Sequence, residues 1–181
     1  MRTTTTDARV LKSRVTVLLA LFIAGLVLSG ITAIPLPREV AFLERVVGEG
    51  SATRGWWPSL AAWISRISRG VAEMSREYPF IFYGTDWLAF GHSVMAISFL
   101  GPLRNPVKNI WVIESGMIAC VLVIAWAMIF GPARGIPFFW RLIDCSFGIL
   151  GIIPLYLAWR CTRRIIELDT TRNVECSSVR R

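Results

Sequence analysis

The only histidine of this chain lies six residues after an aspartate in an otherwise apolar stretch, TDWLAFGHSV, which covers residues 85–94. The aspartate is Asp86 and the histidine is His92. An imidazole near a carboxylate, in surroundings of low dielectric constant, can take up and release a proton near neutral pH. A second apolar stretch, PFFWRLIDC, carries Arg141 and Asp144. These four side chains could therefore transfer protons and hold an anionic group.

Four long apolar stretches contain these residues or lie beside them. The chain has 181 residues, of which 54% are hydrophobic, and its mean hydropathy is +0.55. Soluble domains are less apolar than this. A helix of about 20 mainly apolar residues crosses a bilayer and satisfies its own backbone hydrogen bonds there. The predicted crossings are residues 15–34, 80–101, 110–130 and 137–159.

These crossings define the predicted fold, an all-α integral membrane protein with a bundle of four transmembrane helices. The remaining segments are two basic tails (1–14 and 160–181), a long outer loop (35–79), a cytoplasmic loop (102–109) and a short outer loop (131–136). The first crossing could instead be a cleaved signal peptide. Pro35 closely follows the small residues Thr32 and Ala33, which makes a poor cleavage site, so we expect a retained helix.

The distribution of Lys and Arg predicts the orientation of the helices. The N-terminal tail has four, the 102–109 loop two and the C-terminal tail six. The long outer loop has six, which five glutamates nearly balance, and the short outer loop has Arg134. Because cytoplasmic segments carry the excess of Lys and Arg, both termini are predicted in the cytoplasm. The net charge of +8 is then an orientation signal that also attracts anionic membrane lipid, and we expect no nucleic-acid partner.

Two segments of the long outer loop, PREVAFLERVV and PSLAAWISRISRGVAEM, have helical periodicity. In the second, six apolar residues share one face: Leu60, Trp63, Ile64, Ile67, Val71 and Met74. This pattern predicts an amphipathic helical cap. Two interpretations stay open, because such a helix can lie in the membrane interface or pack on its own protein.

Depth in the bilayer predicts which ionisable side chains meet. At about 1.5 Å per helical residue, His92 and Asp144 both lie about 10 Å from the outer end of their helices. Asp86 and Arg141 both lie near the outer surface, and Arg141 is also one turn from Asp144. Glu114 lies near the cytoplasmic end of its helix, from which water or a kink could link it to His92. We therefore expect a polar pocket between the second and fourth crossings that opens to the outer side.

The predicted site residues have two roles. The candidate catalytic, proton-handling groups are His92, Asp144 and Asp86, and the candidate ligand-binding groups are Arg141, Trp87, Trp140 and Glu114. Each also has an ordinary structural interpretation. An aspartate suits the first turn of a helix, an Arg–Asp pair suits an ion pair, and aromatic side chains are common at membrane interfaces.

Metal and cofactor chemistry have little support in the sequence. One histidine and three carboxylates could ligate a metal, but no HxxxH or ExxH spacing occurs, so we predict no metal site. The four cysteines form no CxxC pair and indicate neither a zinc framework nor a disulfide scaffold. No cofactor can be assigned from the residues.

Four motifs carry a resemblance to other proteins: SGITAIPLPRE, YPFIFYGTDWLAFGH, GPLRNPVKNIWVIESGMIAC and GIPFFWRLIDCSFG. Through them, about two-thirds of the chain resembles an uncharacterised family of small bacterial multi-span membrane proteins. The resemblance implies a location in the bacterial inner (cytoplasmic) membrane. It implies no activity, and no site residue is taken from it.

Three functions are compatible with the sequence. In the first, the protein binds or acts on a lipid or other small hydrophobic molecule, with Arg141 on an anionic head group and His92 and Asp144 moving protons. In the second, it is a structural or accessory subunit of a membrane complex with no catalysis, whose polar residues only join helices. In the third, a proton or ion pathway runs from His92 to Glu114 and requires a homo-oligomer.

Overall fold

The structure, a computed structural model, describes residues 2–178, and the side chains of residues 8–171. The helices are α1 (Arg2–Ala33), α2 (Leu36–Val47), α3 (Thr53–Trp56), α4 (Pro58–Glu77), α5 (Tyr83–Ser98), α6 (Leu100–Arg104), α7 (Ile110–Ala133) and α8 (Phe138–Ser178). A 3-10 turn, Pro79–Phe82, precedes α5. No β-strand occurs within residues 2–178, which confirms the all-α prediction. Residues 1 and 179–181 of the predicted tails lie outside the described residues.

Three helices are long and apolar enough to cross a membrane: Ala8–Ala33 within α1, Ile110–Ala133 as α7, and Phe138–Thr171 within α8. In the apolar part of each, only 17%, 17% and 22% of the residues are buried in the protein. Large side chains such as Leu21, Trp126 and Leu150 are instead exposed. Because such surfaces are stable in contact with lipid rather than with water, the three helices indicate a multi-pass membrane protein.

The second predicted crossing, residues 80–101, is divided between helices. α5 has 16 residues and ends at Ser98, and α6 begins at Leu100 after one residue of helical conformation, Phe99. Pro102 has no N–H group to donate to the carbonyl oxygen of Ser98, which explains the interruption. Length and hydropathy therefore support three crossings, and the fourth does not follow from them.

Two helices extend beyond their predicted ends. α1 begins at Arg2 rather than at residue 15, and α8 continues to Ser178 rather than ending at residue 159. Thr162 and Ile165 are buried in the extension of α8, and Arg164 forms an ion pair with Glu167 at 3.0 Å. Packing and local charge pairs thus continue the helix where hydropathy falls. The tails predicted at 1–14 and 160–181 are helical where the structure describes them.

The chain divides into two compact units, residues 1–25 with 96–181, and residues 26–95. In the first unit, glycines let α7 and α8 pack closely. A Cβ atom at Gly148 would collide with the carbonyl oxygen of Cys120, and one at Gly151 would lie 3.0 Å from the Cys120 sulfur. Large side chains that are fully buried in this unit include Val15, Leu19, Ile113, Leu155 and Ile165.

The second unit contains α2 and α4, which pack on each other and form the two helical segments predicted in residues 35–79. Ile64 and Val40 are buried where these helices pack, so part of the apolar face of α4 is covered by the protein itself. Hydrogen bonds also join these two helices. The Ser65 hydroxyl of α4 donates to Glu44 Oε1 of α2 (2.8 Å) and accepts from the Glu49 N–H (3.0 Å). The interpretation of α4 as a packed surface helix therefore holds for this part of its length.

Candidate functional site

His92 forms hydrogen bonds through both ring nitrogens, and both partners lie in the second unit. Nδ1 is 2.8 Å from the carbonyl oxygen of Leu88, and Nε2 is 3.3 Å from the hydroxyl of Ser29 on α1. Because a carbonyl only accepts, Nδ1 carries a proton, and in the neutral ring Nε2 accepts from the serine hydroxyl. His92 thus links α5 to α1 in this unit.

Gly30 explains how α1 comes this close to His92. A Cβ atom at Gly30 would lie 3.0 Å from His92 Cβ and 3.3 Å from the carbonyl oxygen of Ala89. Only a residue without a side chain fits this separation without displacing its neighbours. Asp144, the partner predicted for His92 from depth, belongs to the other unit, so that pairing stays a prediction.

Asp86 and Trp87 lie together on the first turns of α5. With Tyr83 and Phe90 they line an open depression of about 230 Å³. The rings meet edge to face, with centroids 6.0 Å apart for Tyr83 and Trp87 and 5.4 Å apart for Trp87 and Phe90. Asp86 is exposed. This aromatic depression offers one carboxylate and three rings on a single face of one helix.

Arg141 lies near the start of α8 and folds back over the last turns of α7. A Cβ atom at Gly131 would collide with Arg141 Cδ, and the guanidinium carbon is 5.1 Å from the Phe138 ring centroid. This position places a cation near the C-terminal end of α7, where the helix dipole favours it. Among residues 8–171, the buried Nε of Arg141 has no hydrogen-bond partner. The stem of Arg141 therefore has a packing role in the first unit.

Asp144 is half-buried one turn along α8 from Arg141. Within the described side chains the two form no ion pair at 4.0 Å or less, so the alternative of a structural Arg141–Asp144 pair is not realised here. Trp140, the neighbouring candidate, is half-buried, and its backbone N–H donates to the carbonyl oxygen of Pro137 at 3.1 Å.

Glu114 connects α7 to α8. Its Oε1 accepts a hydrogen bond of 2.9 Å from the indole Nε1 of Trp159. The Trp159 ring also stacks on Tyr156, with centroids 6.0 Å apart, and lies 5.7 Å from the guanidinium carbon of Arg163. Because Trp159 is 18 residues after Arg141, Glu114 is about 27 Å along α8 from that arginine.

A third cluster contains residues that the sequence analysis had used only for orientation. A depression of about 410 Å³ is lined by Lys12 and Thr16 of α1, Leu103 and Arg104 of α6, the loop 105–108, and Asp169 of α8. We call it the basic depression. Of its four charged side chains, three are cationic, and all the lining residues belong to the first unit.

Hydrogen bonds fix the loop that forms one side of the basic depression. Asn105 Oδ1 accepts from the Lys108 N–H at 3.1 Å, and the Asn109 side chain donates to the carbonyl oxygens of Asn105 (2.9 Å) and Gly101 (3.2 Å). Within residues 8–171, none of the charged residues in the lining forms an ion pair at 4.0 Å or less. The loop backbone is therefore ordered, and the three cations of the lining form no close ion pair with Asp169.

Sequence reasoning could not bring this cluster together. Lys12 is separated from Arg104 and Lys108 by about 90 residues, and Asp169 lies about 60 residues further on. The one signal was that Lys12, Arg104 and Lys108 had all been assigned to the same side of the membrane. Ser29 and Trp159, the partners of His92 and Glu114, had no signal beyond the need of a buried polar group for a partner.

Metal ligation has no support in the described part of the chain, where no group of three or more His, Cys, Asp or Glu side chains is arranged to hold an ion. Three cysteines within residues 8–171, Cys120, Cys145 and Cys161, are free thiols, and the side chain of Cys176 lies outside the described residues. No family model matches the chain, and neither a curated protein nor a solved structure does. The resemblance to a bacterial membrane-protein family thus stays a prediction.

Proposed function

We propose that this protein is a multi-pass component of the bacterial cytoplasmic membrane that works by binding, as a structural or accessory protein, rather than by catalysis. The observation that carries the proposal is the use made of His92 and Glu114. Both ring nitrogens of His92 and one carboxylate oxygen of Glu114 are engaged in hydrogen bonds with the protein's own helices. Polar side chains in membrane helices commonly serve this purpose.

A catalytic base needs a nitrogen or oxygen that can reach a substrate proton. In the neutral His92 ring, the nitrogen that could act as a base accepts from the Ser29 hydroxyl, so its described partner is a side chain of the protein's own helix α1. Joining helices is the simpler use of both His92 and Glu114.

We also propose four crossings with both termini in the cytoplasm. Support comes from the basic depression, because Lys12 precedes the first crossing, Arg104 and Lys108 precede α7, and Asp169 follows the crossing part of α8. These positions can adjoin at one membrane surface only if the chain crosses an even number of times between them. The segment 79–104, in which the turn, α5 and α6 follow one another, then provides the remaining crossing.

Reporter fusions test this topology directly. Alkaline phosphatase, active only outside the cytoplasm, and a fluorescent protein, used as the cytoplasmic reporter, are fused after Gly50, Asn105, Gly135 and Arg181. We expect phosphatase activity after Gly50 and Gly135 and fluorescence after Asn105 and Arg181. If the fusions after Gly50 and Asn105 report the same side, segment 79–104 does not cross and the four-crossing arrangement is wrong.

A second candidate function is a binding site for a lipid or small hydrophobic molecule on the outer side. The aromatic depression of Asp86 and Trp87 favours it, because aromatic walls with one polar group suit an amphiphile. Mass spectrometry and metal analysis of the purified protein, beside His92→Ala and Asp86→Asn, separate the two functions. A lipid that stays with the wild type and leaves with either variant supports the outer site. Equally folded proteins without such a difference support the accessory function.

A further inference from the structure

The basic depression differs from the predicted sites in that its charged side chains are mainly cationic. Three cations from two separate parts of the chain, Lys12 in one and Arg104 with Lys108 in the other, line one concave surface, and one carboxylate in the lining, Asp169, opposes them. Like charges at close range repel, so an arrangement of this kind is favourable when an anion occupies it. The lining thus has the charge of a receptor for a group with at least two acceptor oxygens.

We propose that the basic depression binds the phosphate of an anionic phospholipid head group in the cytoplasmic leaflet. Arg104 offers a planar fork of N–H donors that matches two phosphate oxygens, and Lys12 and Lys108 add point charges from α1 and the loop. Basic pockets between transmembrane helices on the cytoplasmic side are a recognised arrangement for anionic lipid head groups. The proposal rests on the membrane placement in the proposed function.

The apolar part of the lining favours a lipid over a soluble phosphate compound. Leu103, Pro106 and Val107 are half-buried and belong to the same surface as the cations. The crossings that begin beside the depression, in α1 and α7, present exposed apolar side chains such as Val17 and Trp111. A phospholipid can place its phosphate among the cations and its acyl chains along these helices, whereas a free phosphate uses only the first set of contacts.

The loop that lines the basic depression is ordered before a ligand binds. Asn105 and Asn109 hold the backbone of residues 101–109 through side-chain hydrogen bonds, so the loop does not have to become ordered when the ligand binds. Asp169 acts in the opposite direction, because its carboxylate repels a phosphate. Removing this one negative charge should therefore strengthen binding.

The test uses the full chain in a neutral detergent and measures lipid binding by native mass spectrometry. Phosphatidylglycerol and phosphatidylcholine of equal chain length are titrated separately, and inorganic phosphate and glycerol phosphate serve as soluble competitors. The variants are Lys12→Gln, Arg104→Gln and Lys108→Gln together, Asp169→Asn alone, and Arg164→Gln as the matched control. Arg164 is also a cation of the extended α8, but it pairs with Glu167 and does not line the depression.

Wild type should prefer phosphatidylglycerol. Since a charged contact of this kind contributes about fivefold in affinity, the triple variant should lose about 100-fold and Asp169→Asn should gain up to about fivefold. Arg164→Gln should bind like the wild type. Retained helix content is the check that the triple variant and Arg164→Gln have folded. Asp169→Asn tests the proposal by a gain in affinity, which misfolding cannot produce.

Three results would overturn the proposal. The triple variant could bind phosphatidylglycerol as tightly as the wild type, or Arg164→Gln could lose as much as the triple variant, in which case no particular site exists. Inorganic phosphate could bind with the same dependence on the three cations while the lipid does not, which would make the ligand a soluble phosphate. Because binding is measured in detergent, failure of the topology in the fusion experiment remains distinguishable from failure of this site.

Discussion

Substitutions at Glu114 test whether its hydrogen bond to Trp159 joins α7 to α8. Glu114→Ala removes the acceptor and leaves the indole N–H without its partner at 2.9 Å. Glu114→Gln keeps a carbonyl oxygen in the same place but cannot ionise. If Glu114 stabilises the protein by accepting this bond, glutamine should replace glutamate with little loss of stability, whereas alanine should not.

The size of the effect follows from measured hydrogen bonds between membrane helices. These average about 0.6 kcal/mol and reach about 1.7 kcal/mol. Both side chains are half-buried, so we expect a coupling free energy of about 0.6–1.7 kcal/mol between Glu114→Ala and Trp159→Phe. The double-mutant cycle is needed because Trp159→Phe also disturbs the stack on Tyr156 and the contact with Arg163.

Reversible unfolding in detergent, followed by the far-ultraviolet circular dichroism of the helices, measures these free energies. Glu114→Gln should lie within about 0.5 kcal/mol of the wild type. Glu167→Gln is the control, because Glu167 makes an exposed ion pair of small expected contribution. A coupling energy near zero, or glutamine as destabilising as alanine, would refute the assignment of Glu114 as a hydrogen-bond acceptor between α7 and α8.

Three further predictions concern packing and polar contacts, all measured by the same unfolding assay. Gly148→Ala should destabilise the protein by about 1–3 kcal/mol, because its Cβ meets the backbone of Cys120, which cannot rotate away. The control is Gly25→Ala, whose Cβ meets nothing within 4 Å and should not destabilise. Equal effects of the two variants would contradict the packing argument. Ser29→Ala should cost about 0.5–1.5 kcal/mol through the lost bond to His92, and an unchanged stability would argue against that bond. Ser65→Ala should cost about 1–3 kcal/mol, since it leaves two partners in the cap unpaired; no change would mean that water replaces the hydroxyl.

Hydropathy made the helical membrane fold predictable, but it did not locate the ends of the helices. The apolar runs within α1, α7 and α8 are long and uninterrupted, and each is sufficient to cross a membrane by length and composition. Hydropathy cannot distinguish a helix that ends at the membrane surface from one that continues beyond it. Beyond the predicted end at residue 159, Thr162 and Ile165 are still buried, and such burial depends on the fold rather than on local hydropathy.

The individual site residues were predictable as polar groups in apolar surroundings, but their partners were not. Depth arguments place residues along the membrane normal and carry no information about rotation around a helix. His92 therefore meets Ser29, and Glu114 meets Trp159, through side-chain directions that only the fold determines. For the basic depression, sequence reasoning assigned three cations to one side of the membrane, and the fold brought them together with Asp169.

The connection between α7 and α8 bears on how the protein enters the membrane during synthesis. Only four residues, Arg134 to Pro137, separate the two helices, and Gly135 makes the reversal with a φ of 69° that few other residues adopt. In the proposed topology, two apolar helices joined so tightly can be released from the translocation machinery as a hairpin, with a single charged residue, Arg134, in the segment carried across. The contacts at Gly148 and Gly151 would then form within one newly made hairpin before the rest of the chain has settled, so defects there should appear first as poor biogenesis.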